Sequence, residues 1–191
     1  MRRLGKMLIG LISRLTDQKG LNLLCDVFDR FVDDHTQFVL IGTGDPNYEN
    51  AFRYFAGRYP DKVSANICYN DTLAHKLYAA ADMMLVPSLF EPCGLTQLIS
   101  LRYGSVPLVR ETGGLKDTVE PYNEFELTGT GFTFGPFYAE DFLNTVNYAK
   151  SVYFNYRSNW DDMVCRGMAK DFSWNSSACQ YEGMYEWLLG R

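Results

Sequence analysis

The chain has 191 residues, 47% hydrophobic and 15% aromatic, which is enough to bury a sizeable core and falls within the usual range for one domain. Its formal net charge of −5 argues against a nucleic-acid or anionic-membrane surface as the main partner, and no apolar run approaches membrane-spanning length. Five scattered cysteines without a C-x-x-C pair suit a reducing compartment, and the two histidines, His35 and His75, lie at no metal-ligand spacing. Neither a metal nor another cofactor is expected.

Short apolar runs alternate with helical periods along the chain. The predicted strands are 6–12, 37–41, 62–68, 83–86, 106–109 and 131–134, each separated from the next by enough residues for a crossover helix. The basic start, Met1-Arg2-Arg3, precedes an apolar stretch that is short and leads directly into Arg14, so it reads as a strand rather than a signal peptide. Leu21, Leu24, Cys25, Phe28, Phe31 and Val32 recur at three and four residues and give the first helix its apolar face. Repeated β-α units of this size predict an α/β fold, a Rossmann-like parallel sheet with helices on both faces. After about Asn144 the chain turns to helices rich in Tyr, Phe, Trp and Met, the last spanning about 174–189.

In such sheets ligands gather beyond the C-terminal strand ends. Five segments with functional chemistry fall there: the loop of Arg14 and Lys19, the turn Gly42-Thr43-Gly44-Asp45, the segment around Tyr69, the loop Glu91-Pro92-Cys93-Gly94, and Thr112-Gly113-Gly114. Met83-Met84-Leu85-Val86 is continuously apolar, as a strand buried on both faces requires, and Pro87, Pro92 and Gly94 then shape a turn. Leu95 and Thr96 open a helix whose first N–H groups lack intrahelical partners, a ready site for a phosphate. Glu91 beside it would repel an anion unless aimed at hydroxyls. A sugar phosphate or sugar nucleotide meets both demands.

The motifs FEPCGLTQL (90–98), RYGSVPLVR (102–110), TGGLKDTV (112–119) and SRLTDQKGL (13–21) resemble, in order and spacing, the C-terminal half of bacterial glycogen synthases and plant starch synthases. The likeness runs from about Leu8 to the end. It implies the C-terminal domain of a two-domain, GT-B-type retaining glucosyltransferase that moves glucose from ADP-glucose to an α-1,4-glucan without a bound metal. Arg14 and Lys19 would then neutralise the departing ADP, the amides of Gly94, Leu95 and Thr96 would hold phosphate, and Glu91 would orient glucose. Cys93 would approach the sugar through its backbone rather than act as a nucleophile, and Gly113 and Gly114 would lie near the sugar. A tyrosine at the position of Tyr69 stacks on adenine in that family; an ordinary half-buried aromatic is the other reading. Many related transferases carry a second glutamate eight residues after the first to hold the ribose. Ile99 stands there, which favours the glycogen synthase branch.

The resemblance further implies a donor-binding domain over 1–173 and a helix over 174–191 that docks on an N-terminal domain carrying the acceptor surface. No counterpart of that domain is recognisable in the sequence, so the chain alone is expected to be inactive. The expected location is the cytoplasm, or a plastid in a plant. The rival readings are a non-catalytic nucleotide-sugar-binding module and a UDP-sugar-dependent retaining transferase.

Overall fold

The computed structural model describes residues 5–190; the basic start at Met1, Arg2 and Arg3 lies outside them. Six strands, β1 (Met7–Ile12), β2 (Thr36–Ile41), β3 (Val63–Asn66), β4 (Met83–Val86), β5 (Val106–Arg110) and β6 (Phe132–Phe134), form one sheet in the order β3-β2-β1-β4-β5-β6. Every pairing is parallel. The chain winds outward from β1 to β3, crosses back, and winds outward again from β4 to β6. The loops after β1 and β4 therefore leave in opposite directions and open a crevice between them.

Alternation along the strands assigns the two faces. Met7, Ile9, Leu11, Phe38, Leu40, Met83, Leu85, Val106 and Leu108 point into the larger core, covered by α1 (Leu21–Phe31), α2 (Pro46–Arg58) and α6 (Ala139–Asn155). Phe28 lies at its centre, stacked on Phe55 with centroids 3.8 Å apart and edge-on to Phe38 and Phe52. Ile41 and Met84 point the other way, against Leu77 and Tyr78 of α3 (Asp71–Ala80), with Ile99 of α4 (Thr96–Tyr103) packed alongside. Gly10 lets this layer close on the sheet, since a Cβ there would stand 2.5 Å from the Met84 sulfur. Val86 and Val109 join Leu115 and Val119 around α5 (Gly113–Thr118).

The ends are finished by α7 (Arg157–Met168) and α8 (Trp174–Leu188). Trp160 and Met163 anchor α7 in the core. Lys150 of α6 is buried and donates to the Phe31 carbonyl at the end of α1 (2.7 Å) and to Asp33 (2.8 Å), a cation placed where helix carbonyls lack partners. Burial lowers the Lys150 pKa, with Asp33 pulling the other way. By contrast α8 buries none of its residues, and Trp174 and Trp187 are 90% and 76% exposed.

All six expected strands are present. The third is shorter than expected: it ends at Asn66, where Cys68 N–H turns back onto the Asn66 carbonyl (2.9 Å) and the chain leaves the sheet toward the crevice. Helix structure after β6 begins at Ala139, before the expected change of character. In α1 the apolar face also takes in Leu23 and Val27, Cys25 is half-buried, and Val32 is the C-cap.

Candidate functional site

The crevice between the loops after β1 and β4 has two compartments that meet at Ile12, Ser13 and Thr96. The inner one is a narrow slot between Ser13 and Lys19 on one side and Pro87, Ser88 and Glu91 on the other. The outer one is an open cleft of about 300 Å³, lined by Arg14, Gly42, Thr43, Tyr69, Asn70, His75, Tyr78 and Ile99 among others.

Local sequence explains how the inner residues are delivered. After β1 the chain makes a short turn of 3₁₀ helix, Asp17–Lys19, closed by Gly20 at φ +70°. A Cβ on Gly20 would stand 2.0 Å from the Pro87 carbonyl oxygen, so only glycine lets the two loops touch. The contact brings Lys19 Nζ to 2.5 Å from Glu91 Oε2, with both side chains largely shielded. Ser88 Oγ donates to the same carboxylate oxygen at 3.2 Å. Ion pairing with an ammonium at this range, in a shielded site, is a strong orienting contact.

The Glu91 loop is held at successive carbonyls. Leu89 O accepts from Arg110 Nη1 (2.7 Å), Phe90 O from Gln18 Nε2 (3.0 Å), and Glu91 O from the Gly114 N–H (3.2 Å). Gly113 and Gly114 press so closely on this loop that a Cβ on either would stand 2.3 Å from a carbonyl oxygen, Glu91 O and Cys93 O respectively. Beyond it, the buried Gln97 donates to the carbonyls of Cys93 and Gly94 (2.9 and 3.0 Å) and fixes the turn at Gly94, whose φ is +77°. Helix α4 then begins at Thr96, with Leu95 as its N-cap and no side-chain cap. The Ile99 N–H is the first to donate within the helix, to Leu95 O at 2.9 Å, so the N–H groups of the preceding turn are the unpaired end that helix geometry provides.

The structure thus places Lys19, Glu91 and Thr96 in one slot and Arg14, Tyr69 and Thr96 along the adjoining cleft. Cys93, Gly94, Leu95, Gly113 and Gly114 line neither compartment. Cys93 and Leu95 are exposed beside the slot, whereas the two later glycines support the Glu91 loop from behind. Tyr69 is 90% exposed, which disposes of the half-buried reading of this residue. Thr112 occupies the N-cap position of α5 without a side-chain capping bond, and Asp45 caps α2 by accepting from the Asn47 N–H at 2.8 Å.

Sequence reasoning missed several contributors. Ser13 opens the 13–21 motif and Ser88 precedes the Glu91 motif, but as small hydroxyl residues neither signals a role by its chemistry. Gln18 and Arg110 act by bonding carbonyls far away in sequence, and Gln97 by bonding those of the turn just before it. His75 lines the outer cleft, its Nδ1 lying 2.9 Å from the Tyr103 hydroxyl and its Nε2 3.7 Å from Asp71. It stands four residues after Asp71 and three before Tyr78, a placement legible only as helical spacing. Among the described residues, no group of three His, Cys, Asp or Glu side chains could hold a metal ion, and no helix is long and apolar enough to cross a membrane.

Comparison with known proteins agrees with this geometry. Residues 2–162 match the family described as glycosyl transferases group 1. A glycogen synthase of Lachnospira eligens is 60% identical over 184 residues, covering 96% of this chain and 38% of its own length. That of Lachnoclostridium phytofermentans is 55% identical over 181 residues, with 95% and 38% covered. Among solved structures, the catalytic domain of starch synthase IV from Arabidopsis thaliana, bound to ADP and acarbose, superposes with a TM-score of 0.87 at 36% identity, covering 99% of this chain and 40% of that one. The chain therefore spans about 38% of the length of the curated relatives it matches. With a family match over most of its length and a parallel sheet with a crevice at its switch point, the chain belongs to the group 1 glycosyl transferases, and glycogen and starch synthases are among the proteins it resembles.

Proposed function

We propose that this chain is the donor-binding part of a retaining glucosyltransferase that elongates α-1,4-glucan with glucose from ADP-glucose. The observation that carries the reading is the Lys19–Glu91 pair at the bottom of the crevice, beside the start of α4. A shielded carboxylate there suits hydroxyl groups, and a cation with free helix N–H groups suits phosphate. The adjoining cleft is large enough for a nucleoside and carries an exposed aromatic ring.

In this reading the base lies against Tyr69, the ribose crosses the outer cleft near Ile99, and the diphosphate meets Arg14, Lys19 and the N–H groups of Gly94, Leu95 and Thr96. Glucose extends into the slot, where Glu91 binds its hydroxyls and the Cys93 backbone, backed by Gly113 and Gly114, closes over it. When the glycosidic bond to ADP breaks, negative charge builds on the diphosphate, and Arg14 and Lys19 stabilise it in place. Lys19 also neutralises Glu91, the carboxylate proposed to hold the sugar. The acceptor glucan is brought by the remainder of the longer protein, against which the apolar side of α8 docks. The crevice must be closed over the reacting atoms, because orientation and exclusion of water supply roughly 7–11 kcal/mol of such a barrier. Transfer is therefore a property of the full-length protein, which works in the cytoplasm.

The test is glucose transfer to glycogen by a protein of the relatives' full length carrying this sequence, compared with the 191-residue chain. The long protein is expected to incorporate labelled glucose from ADP-glucose and the short chain is not. Transfer from UDP-glucose in preference to ADP-glucose would overturn the donor assignment.

A further inference from the structure

Arg110 lies outside both compartments, yet its guanidinium ties the loop after β4 to the loop after β6, which in turn backs the loop after β1. It is the last residue of β5, paired in register with Phe134 of β6. Its Nη1 donates to Leu89 O in the loop after β4 (2.7 Å), and its Nε donates to Gly135 O in the loop after β6 (3.2 Å). The guanidinium carbon sits 5.4 Å from the centroid of Phe137, a cation–π contact. Phe137 in turn backs the β1 loop, where a Cβ on Gly20 would reach its ring edge at 3.4 Å.

Leu89 is two residues from Glu91, and among the described residues Arg110 is the one charged side chain seen donating to the backbone of the β4 loop. The neighbouring supports are neutral, an amide from Gln18 and a backbone N–H from Gly114. A planar fork with donors in two fixed directions reaches two carbonyls 46 positions apart while its face lies against a ring. Lysine has one donor centre and no flat face to do the same.

We propose that Arg110 is a positioning residue for the Glu91 carboxylate, setting how far the β4 loop stands from the Lys19 loop and hence whether Glu91 meets the transferred sugar. The inference rests on the donor reading above. A glucose moiety gripped by a carboxylate at hydrogen-bond distance is sensitive to loop shifts well under the length of such a bond, whereas ADP, which lacks that sugar, is not.

The experiment is calorimetric titration of the 191-residue chain with ADP and with ADP-glucose, for the native sequence and for Arg110→Gln, Arg110→Lys and Gln18→Ala. The native chain is expected to bind ADP-glucose several-fold more tightly than ADP. Arg110→Gln is expected to bring that ratio to about one while ADP affinity changes by less than about twofold, and Arg110→Lys to recover part of it, as one charged donor replaces a fork. A purely structural role would weaken both ligands together, and that result overturns the proposal. So does an intact ratio in folded Arg110→Gln. Should the Arg110 variants fail to fold, Gln18→Ala, which frees the next carbonyl along the same loop, must lower the ratio; an unchanged ratio overturns the proposal there. A native chain that binds ADP with no gain from glucose refutes this inference and leaves the nucleotide site standing. One that binds neither ligand at millimolar concentration removes the donor reading itself.

Discussion

At the inner end of the crevice, Lys19 and Glu91 are shielded, paired at 2.5 Å, and mounted on loops whose carbonyls are bonded to three other elements. At the outer end Arg14 is exposed, Tyr69 stands 90% in solvent, and the cleft is broad. The difference suits what the proposed function asks of each end. Chemistry at a sugar carbon needs groups held in place before the substrate arrives, because reorganising them during the reaction would raise the barrier. A nucleotide base needs only a flat apolar surface and room to settle on it. Glycine-only backbone contacts occur at both ends, at Gly20 against Pro87 O and at Gly42 against Ser13 O, but only the inner end adds a shielded ion pair.

The comparison breaks most clearly through Glu91. In the full-length protein Glu91→Ala should reduce glucose transfer by about a hundredfold or more, as loss of an orienting contact at the reacting centre does. ADP affinity should be nearly unchanged, and a parallel loss of ADP binding would show that the carboxylate serves the nucleotide instead. Gly20→Ala attacks the scaffold of the same end. A methyl group placed 2.0 Å from Pro87 O on a backbone at φ +70° must push the loops apart. The expected cost is about 2 kcal/mol of stability or more, read from denaturant unfolding.

Lys19→Ala, also at the inner end, should weaken ADP by about tenfold while leaving adenosine within about twofold, since a charged contact to phosphate is lost. Equal losses for ADP and adenosine would refute the phosphate assignment. Tyr69→Ala should cost about 1 kcal/mol of ADP affinity, at the lower end of base stacking on an aromatic ring. Binding of inorganic pyrophosphate should not respond, which separates the outer end from the inner one. The smallest effect is expected far from the crevice. A chain ending at Ser173 should unfold within about 0.5 kcal/mol of the full one, because α8 has no buried residue to lose.

The same contrast explains what could be read in the sequence. Strands were legible because a parallel sheet buried on both faces leaves apolar runs such as Met83–Val86, and all four of these residues are indeed buried. The site was legible where chemistry sits in a short motif: Lys19 and Glu91 stand out beside glycine and proline. Their direct pairing was not, since residues 72 positions apart meet only through the parallel neighbours β1 and β4. Arg110 was hidden for a related reason. At the end of an apolar strand it reads as a solvated terminus, and its meaning lies in carbonyls that carry no side-chain signature. Gly113 and Gly114 stood out as a turn beside a ligand; that they are also the flat backing against which the Glu91 loop rests was not legible, because the contact is to backbone.

Calorimetric titration of the chain with ADP, set against UDP under the same conditions, tests the central claim most directly. The account predicts saturable binding of ADP, weak because closure contacts from the rest of the protein are absent from the titration, and weaker binding of UDP. No heat and no saturation with millimolar ADP, or a clear preference for UDP, would contradict it.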